Sequence, residues 1–468
     1  MFQYGRTVMD MTQQVTTLVI LGASGDLSSR LLLPALGQLL TDHPERSVKL
    51  VGSGVEDWTN AHWRSVVRAA FKTMKCSGPA VDALLAGTTY VPADVTDPKD
   101  LQRILDAADG VPALYFALPP AIAAQACTAL EKLTLPAGTT LALEKPFGTD
   151  RRSAIALNTQ LAKLVPEDQI HRVDHFLGRS TVFNLVGLRF ANRIFEPLWS
   201  SQHIERVDVI YDETLGLEGR ARYYDKAGAM IDMIQSHLLQ VLAVLAMEPP
   251  STMGAQDIRD AKGAVLRATR VWNDSPLESS RRARYTAGTV EGEKVPSYAK
   301  EPGVDPARET ETLAEVAFQI DTWRWAGVPF TLRSGKALGE RRREIVVTFK
   351  PAPHIPTGLK GVKEPTKLRI MLAPDEMSLD LNINGPGDPT EIERASLSVE
   401  FGPGQLLAYG EVLEGILDGD PSLSVRGDTA VECWRIVGPV IAEWKKDEVP
   451  LTTYRAGSRG PSAWHPLG

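Results

Sequence analysis

A chain of 468 residues exceeds what one ordinary compact core holds, which makes two domains the natural expectation. Its 43% hydrophobic and 23% charged content excludes a disordered or membrane-embedded protein. The balance of 51 basic against 58 acidic side chains, net −7, excludes a nucleic-acid surface, which needs a basic face; an anionic small substrate fits only where basic side chains converge locally.

Met1 to Gln14 is polar, lacks an apolar core followed by a small-residue cleavage site, and does not read as a secretory signal. The run from Val15 to Leu40 holds Asp26 and Arg30, costly in lipid, and Leu238 to Met247 is too short to span a bilayer. Cys76, Cys127 and Cys433 lie far apart, which suits neither a disulfide framework nor a metal site and fits a reducing cytoplasm. Thr17–Leu21 reads as a buried strand, Leu27 to Leu40 as helix and Val48–Gly52 as a second strand. A helix through Trp63 to Met74 leads to a strand around Tyr90-Val91, a strand Ala113–Ala117, a helix Ala121–Leu133 and a strand Thr140–Leu143. Strands alternating with helices imply a parallel sheet covered on both faces, ending near Arg172. The remainder reads as alternating strands at Ile204–Tyr211, Glu344–Lys350, Lys367–Leu372, Met377–Ile383 and Leu397–Phe401, with Pro and Gly in the later turns. We therefore expect a Rossmann-like doubly wound domain over 1–172, then a larger α+β domain over 173–468 on a mostly antiparallel sheet. A sheet that broad needs its outer face covered, which a second copy of the chain can do.

The first strand runs directly into Gly22-Ala-Ser-Gly25-Asp-Leu-Ser-Ser-Arg30 and a helix. Glycine at such a turn lets backbone approach a pyrophosphate, and free N–H groups at the helix start attract it. Ser24 and Leu27 stand where the second and third glycines of Gly-x-Gly-x-x-Gly belong, so the glycine pattern alone is weak; its place at the first βα turn supports the reading, and Ser24 still offers a hydroxyl to phosphate. After the second strand, an acid hydrogen-bonds the ribose hydroxyls of NAD, whereas an arginine accommodates the 2′-phosphate of NADP. Gly52-Ser-Gly-Val-Glu-Asp57 holds no arginine; Glu56 or Asp57 either serves NAD or caps the following helix, and cofactor choice stays open.

Three further segments carry chemistry. Leu143-Glu-Lys-Pro-Phe-Gly148 puts Lys145 at the carboxyl end of a parallel strand, where such sheets bind ligands; taken alone it is equally a surface lysine before a turn. The Lys145–Pro146 bond is expected to isomerise or to be cis. His171-Arg-Val-Asp-His-Phe-Leu-Gly-Arg179 is dense in charge for a chain with eight histidines; Asp174 can orient an imidazole while His175 and Arg179 hold an anion, or the segment is a solvated loop. Asp232-Met-Ile-Gln-Ser-His237 opens a helix whose apolar stripe is Ile234, Leu238, Val241, Leu242 and Leu245. His237 falls at the flank of that stripe, half inside, where a lone histidine is ordinarily a core residue unless something faces it.

These segments, in this order, resemble the glucose-6-phosphate dehydrogenase family from about Thr17 to Gly460. Arg189-Phe-Ala-Asn192, Trp323-Arg-Trp-Ala-Gly-Val-Pro-Phe330, Arg333-Ser-Gly-Lys-Ala-Leu338 and Ala456-Gly-Ser-Arg-Gly-Pro461 extend the likeness, and long collinear motifs are far more specific than any one alone. The resemblance implies oxidation of glucose 6-phosphate at C1 to 6-phosphogluconolactone with hydride transfer to NADP or NAD, the entry to the oxidative pentose phosphate pathway. It implies His237 as general base, Asp174 as its orienting carboxylate, and His175 and Arg179 as a phosphate clamp. It sets Lys145 against substrate and cofactor, Glu218, Asp232 and Lys336 on the sugar hydroxyls and ring, and Arg341 near the same pocket. Gly22, Ser24, Gly25, Asp26 and Leu27 form the expected cofactor turn, and a homodimer or homotetramer through the C-terminal sheet is expected. The chemistry agrees, since a neutral imidazole takes a hydroxyl proton as hydride leaves, and a carboxylate behind it fixes its tautomer. No metal is expected, because side chains cover proton removal and charge neutralisation. Phe176, Arg179, Ser180, Ile231, Ser236 and Val55 depart from the family pattern, without deleting the base, its partner or the clamp as a whole. Two rivals remain at this stage: a related sugar oxidoreductase whose Glu-Lys-Pro lysine shares in proton transfer, and a dinucleotide-binding relative that has lost turnover.

Overall fold

The computed structural model describes residues 16–178, 180–217, 219, 221–372, 375–401, 406–465 and 467, with no side chains described for 180–183. They form two compact units. The first takes in the N-terminal residues through Gly178 with Pro250–Asp260 and Gly404–Val431; the second takes in Arg179–Pro249, Ala261–Pro403 and Glu432–Gly468.

The first unit is built on β1 (Thr17–Leu21), β2 (Lys49–Gly54), β3 (Thr89–Pro92), β4 (Pro112–Phe116), β5 (Thr140–Glu144) and β6 (Ile170–Val173). They lie in the order β6-β5-β4-β1-β2-β3, all parallel, with the short strand Ser424–Val425 added antiparallel at β6. The alternation of β1 explains the two-sided cover. Leu18 and Ile20 enter a core with Leu36, Trp63 and Phe71, while Val19 and Leu21 enter another with Ile104, Leu130 and Leu161. Each such fully buried aliphatic side chain contributes about 1.5–3 kcal/mol. Strand order reverses between β1 and β4, and doubly wound sheets bind ligands in the crevice outside the carboxyl ends at that point. The ends of β1, β2, β4, β5 and β6 therefore carry Gly22, Val55, Ala117, Lys145 and Asp174 to one edge of the sheet.

The second unit is an α+β fold on a broad sheet. Ile204–Asp212 lies inside it, parallel to Phe330–Gly335 and antiparallel to Arg342–Phe349. Lys367–Leu372, Asp375–Asn384 and Glu391–Glu400 extend one side, and Leu313–Ile320, Ser280–Thr286 and Leu451–Arg455 the other. Most pairings are antiparallel among the described residues. The helical run Ala221–Ala246 begins well before Leu238 and is longer than the stretch Leu238–Met247 read from sequence. By length and composition alone it could cross a membrane, yet 83% of its apolar window is buried within the protein. It bends at Gly228, whose φ of 64° leaves the helical region. The strand Glu391–Glu400 leaves Leu397 63% and Val399 50% exposed.

Candidate active site

In the first unit, the turn after β1 depends on one glycine. Gly22 has φ +85, and a Cβ there would stand 2.4 Å from the Ala117 carbonyl oxygen and 2.9 Å from Leu118 Cδ2. Only glycine lets the chain reverse against the end of β4. The Gly22 and Ala23 N–H groups donate to the Ser53 carbonyl, each at 2.8 Å, and the Gly25 N–H donates to the Gly22 carbonyl at 3.0 Å. The helix that follows is π-wound over Ser28–Leu32 before Leu33–Asp42. Asp26 pairs with Arg30 at 3.1 Å on the exposed side of that helix, so its charge is offset. Gly22, Ser24, Gly25, Asp26 and Leu27 thus stand together where the sheet order reverses, a backbone cradle that fits a pyrophosphate.

The ends of β5 and β6 supply the charged groups. The Lys145–Pro146 bond is cis. Glu144 accepts from the Tyr115 hydroxyl at 2.5 Å. Burial holds the Glu144 carboxyl above the ordinary carboxylate range, against hydrogen bonds from Tyr115 and Tyr409 and the charge of Lys145; Asp174 adds to the upward push. Asp174 is 2% exposed, and its Oδ1 accepts from the Phe176 N–H at 3.0 Å. His175 stacks on Tyr409 with ring centroids 5.3 Å apart. Lys145, Asp174 and His175 therefore gather around Glu144 and Tyr409, two groups the sequence reading did not select. Glu144 stands inside a motif it quoted, whereas nothing in the sequence announces Tyr409. His171 plays another part. Its Nδ1 lies 3.1 Å from Ser424 Oγ, and burial, helped by the charge of Arg259, lowers its pKa to about 3, so it stays a neutral interior group.

In the second unit, His237 lies in the π-wound stretch Met230–Leu238 and is 1% exposed. It is wholly inside, not half inside as its place beside the stripe suggests, because the helix is covered on that flank as well. Asp232 stands five residues earlier, the π-helical spacing. Its Oδ1 accepts from the Tyr223 hydroxyl at 3.3 Å, and its carbonyl accepts from Ser236 Oγ at 3.1 Å. Glu311 was also missed. Its carboxylate accepts from the Met230 N–H at 2.9 Å, capping this helical stretch just after the Gly228 bend, and burial pushes its pKa up to about 7. Lys336 Nζ lies 2.7 Å from Glu213 Oε2 and 5.2 Å from the centre of the Tyr224 ring, and Arg343 reaches the other Glu213 oxygen at 3.0 Å. Glu213 thus anchors two cations. Arg341 is exposed. Arg179 and Glu218 lie outside the described residues.

The model of the glucose-6-phosphate dehydrogenase NAD binding domain matches residues 19–184, and that of the C-terminal domain matches 186–467. A glucose-6-phosphate 1-dehydrogenase of Gluconobacter oxydans is 39% identical over 474 residues, covering 97% of this chain and 96% of its own. One of Zymomonas mobilis is 36% identical over 472 residues, covering 97% of both. The solved structure of a glucose-6-phosphate dehydrogenase in complex with its substrate glucose 6-phosphate superposes with a TM-score of 0.86 at 29% identity, covering 96% of both chains. Matched in both halves and over nearly its whole length, the chain belongs to the glucose-6-phosphate dehydrogenase family.

Proposed function

We propose that this chain is a cytoplasmic enzyme that oxidises glucose 6-phosphate at C1 to 6-phosphogluconolactone, using NADP or NAD. The observation that carries the reading is the full-length match to glucose-6-phosphate dehydrogenases in a chain that has the His237 helix, the Lys145 turn and the Gly22 cradle. In the reaction, His237 takes the proton from the C1 hydroxyl as the hydride leaves. The bound nicotinamide supplies the hydride acceptor at its C4 position. Asp174 fixes the tautomer of the base and stabilises the imidazolium. Lys145, His175 and Arg179 donate charge-assisted hydrogen bonds to the phosphate, which meets the need for local basic groups in an acidic chain. Glu218, Asp232, Lys336 and Arg341 take the sugar hydroxyls and ring. Lys336 is suited to this because Glu213 already holds its ammonium in one place.

The exposed Leu397 and Val399 support a homodimer or homotetramer formed through this sheet, which light scattering tests: a monomer at working concentration removes that part of the proposal. The activity is tested by steady-state reduction of NAD and of NADP with glucose 6-phosphate. Turnover with at least one is expected; none with either would leave only a dinucleotide-binding relative.

A further inference from the structure

The end of β2 holds three side-chain oxygens around one glycine. A Cβ on Gly54 would stand 2.8 Å from Tyr90 Oη, 2.9 Å from Glu56 Oε2 and 3.1 Å from Ser24 Oγ. Glu56 therefore leans back over the strand end toward the pyrophosphate turn instead of pointing away. We propose that Glu56 accepts hydrogen bonds from the adenosine ribose of the dinucleotide, and that the chain consequently uses NAD in preference to NADP. The inference rests on the dehydrogenase reading for its reaction, and on the first unit alone for its geometry.

The alternative use of the acids is removed by the helix itself. Asn60–Thr73 is capped by Thr59, whose hydroxyl oxygen accepts from the His62 N–H at 3.2 Å, so neither Glu56 nor Asp57 is its cap. Tyr90 adds an independent observation. It is 6% exposed, and its hydroxyl lacks a hydrogen-bond partner among the described residues. Trp58 and Trp63 hold the ring, at 5.4 and 5.8 Å between centroids. A buried hydroxyl left without a partner is costly, and a ribose hydroxyl at this place would satisfy it. Burial and the charge of Glu56 push Tyr90 up to about 12, so it stays a donor at neutral pH.

The segment after β2 offers a 2′-phosphate no cation of its own. Residues 52–59 contain no Lys, Arg or His, and Val55 is 76% exposed where a gripping arginine would stand. Of the flanking basic side chains, Arg30 pairs with Asp26, Arg103 is bound to the Pro92 carbonyl and to Asp100, and His62 stands edge-on to Trp58 with ring centroids 4.7 Å apart. A phosphate dianion set beside Glu56 is a like-charge juxtaposition, which discriminates by repulsion as well as by the lost ribose contact.

Two measurements test this: the ratio of kcat/KM for NAD over NADP with glucose 6-phosphate, and the Kd of NADH and NADPH from nucleotide fluorescence. For the unaltered protein NAD is favoured about 10- to 1,000-fold in both, since like-charge contact costs several kcal/mol and each 1.4 is tenfold. Glu56→Gln lowers both ratios about tenfold or more, while Asp57→Asn leaves them unchanged. A preference for NADP, a Glu56→Gln ratio equal to that of the unaltered protein, or no binding of either reduced nucleotide by folded protein overturns the proposal. If glucose 6-phosphate reduces neither cofactor, the proposed reaction fails while the two Kd values still decide the role of Glu56.

Discussion

Gly22→Ala tests the pyrophosphate cradle with a cost that can be worked from its surroundings. Alanine would have to adopt φ near +85, which costs about 1–2 kcal/mol, and its methyl would meet the Ala117 carbonyl oxygen at 2.4 Å and Leu118 at 2.9 Å. Relieving such overlap in a well-filled region costs about 1–3 kcal/mol more. The sum is roughly 2–5 kcal/mol, which for a unit of this size lowers Tm by roughly 4–20 °C. Gly292→Ala separates the two contributions, because Gly292 also has φ +88 but nothing within 4 Å of an added Cβ; its loss is about 1–2 kcal/mol. Gly25→Ala meets the Gly22 carbonyl oxygen at 3.1 Å and the Ala117 carbonyl oxygen at 4.0 Å, and is expected to cost less than Gly22→Ala. Scanning calorimetry ranks the three, and NADH titration of Gly22→Ala is expected to show weakened binding as well. A Gly22→Ala protein as stable as Gly292→Ala, with unchanged NADH affinity, would refute the cradle.

His237→Ala lowers kcat about 10²–10⁴-fold if it is the base, measured at saturating glucose 6-phosphate; unchanged turnover removes it from the mechanism. Glu213→Gln leaves Lys336 and Arg343 facing each other without their shared anion, so KM for glucose 6-phosphate rises, roughly tenfold, more than kcat falls; an unaltered KM contradicts the positioning of Lys336. Glu311 gives the protein a pH dependence of known sign. Its folded value of about 7 lies above the ordinary 4.5, with Arg282 opposing the shift, so between those values the folded state holds the extra proton. Its contribution is present below the lower value and is lost as pH rises through the upper one. Relative to Glu311→Gln, the unaltered protein is therefore expected to lose stability in urea titrations between roughly pH 5 and pH 8, and a difference flat across that range shows that Glu311 does not titrate there.

What the sequence disclosed follows from how local each signal is. Thr17–Leu21 and Lys367–Leu372 are strands with the bounds read from sequence, because an apolar run entering a glycine turn and a clean alternation are signals within one segment. Leu313–Ile320 was not read as a strand, although it lies inside the second sheet, since seven of its eight residues are buried and no alternation survives. Ser424–Val425 pairs with β6 from far along the chain, and two residues carry no periodicity of their own. The candidate site divides the same way. Lys145, Asp174, His175 and His237 sit in motifs dense enough to be noticed, whereas Tyr409, Glu213 and Glu311 matter only through what they touch. Glu56 and Asp57 could not be told apart until Glu56 Oε2 was seen to lie 2.9 Å from where a Cβ on Gly54 would stand.

The account stands most directly on one steady-state experiment. Purified protein given glucose 6-phosphate and NAD should form NADH at a rate that saturates with the sugar phosphate, faster than the matching reaction with NADP, and His237→Ala should abolish most of it. Folded protein that binds NADH yet reduces neither cofactor when glucose 6-phosphate is added would contradict the proposed oxidation.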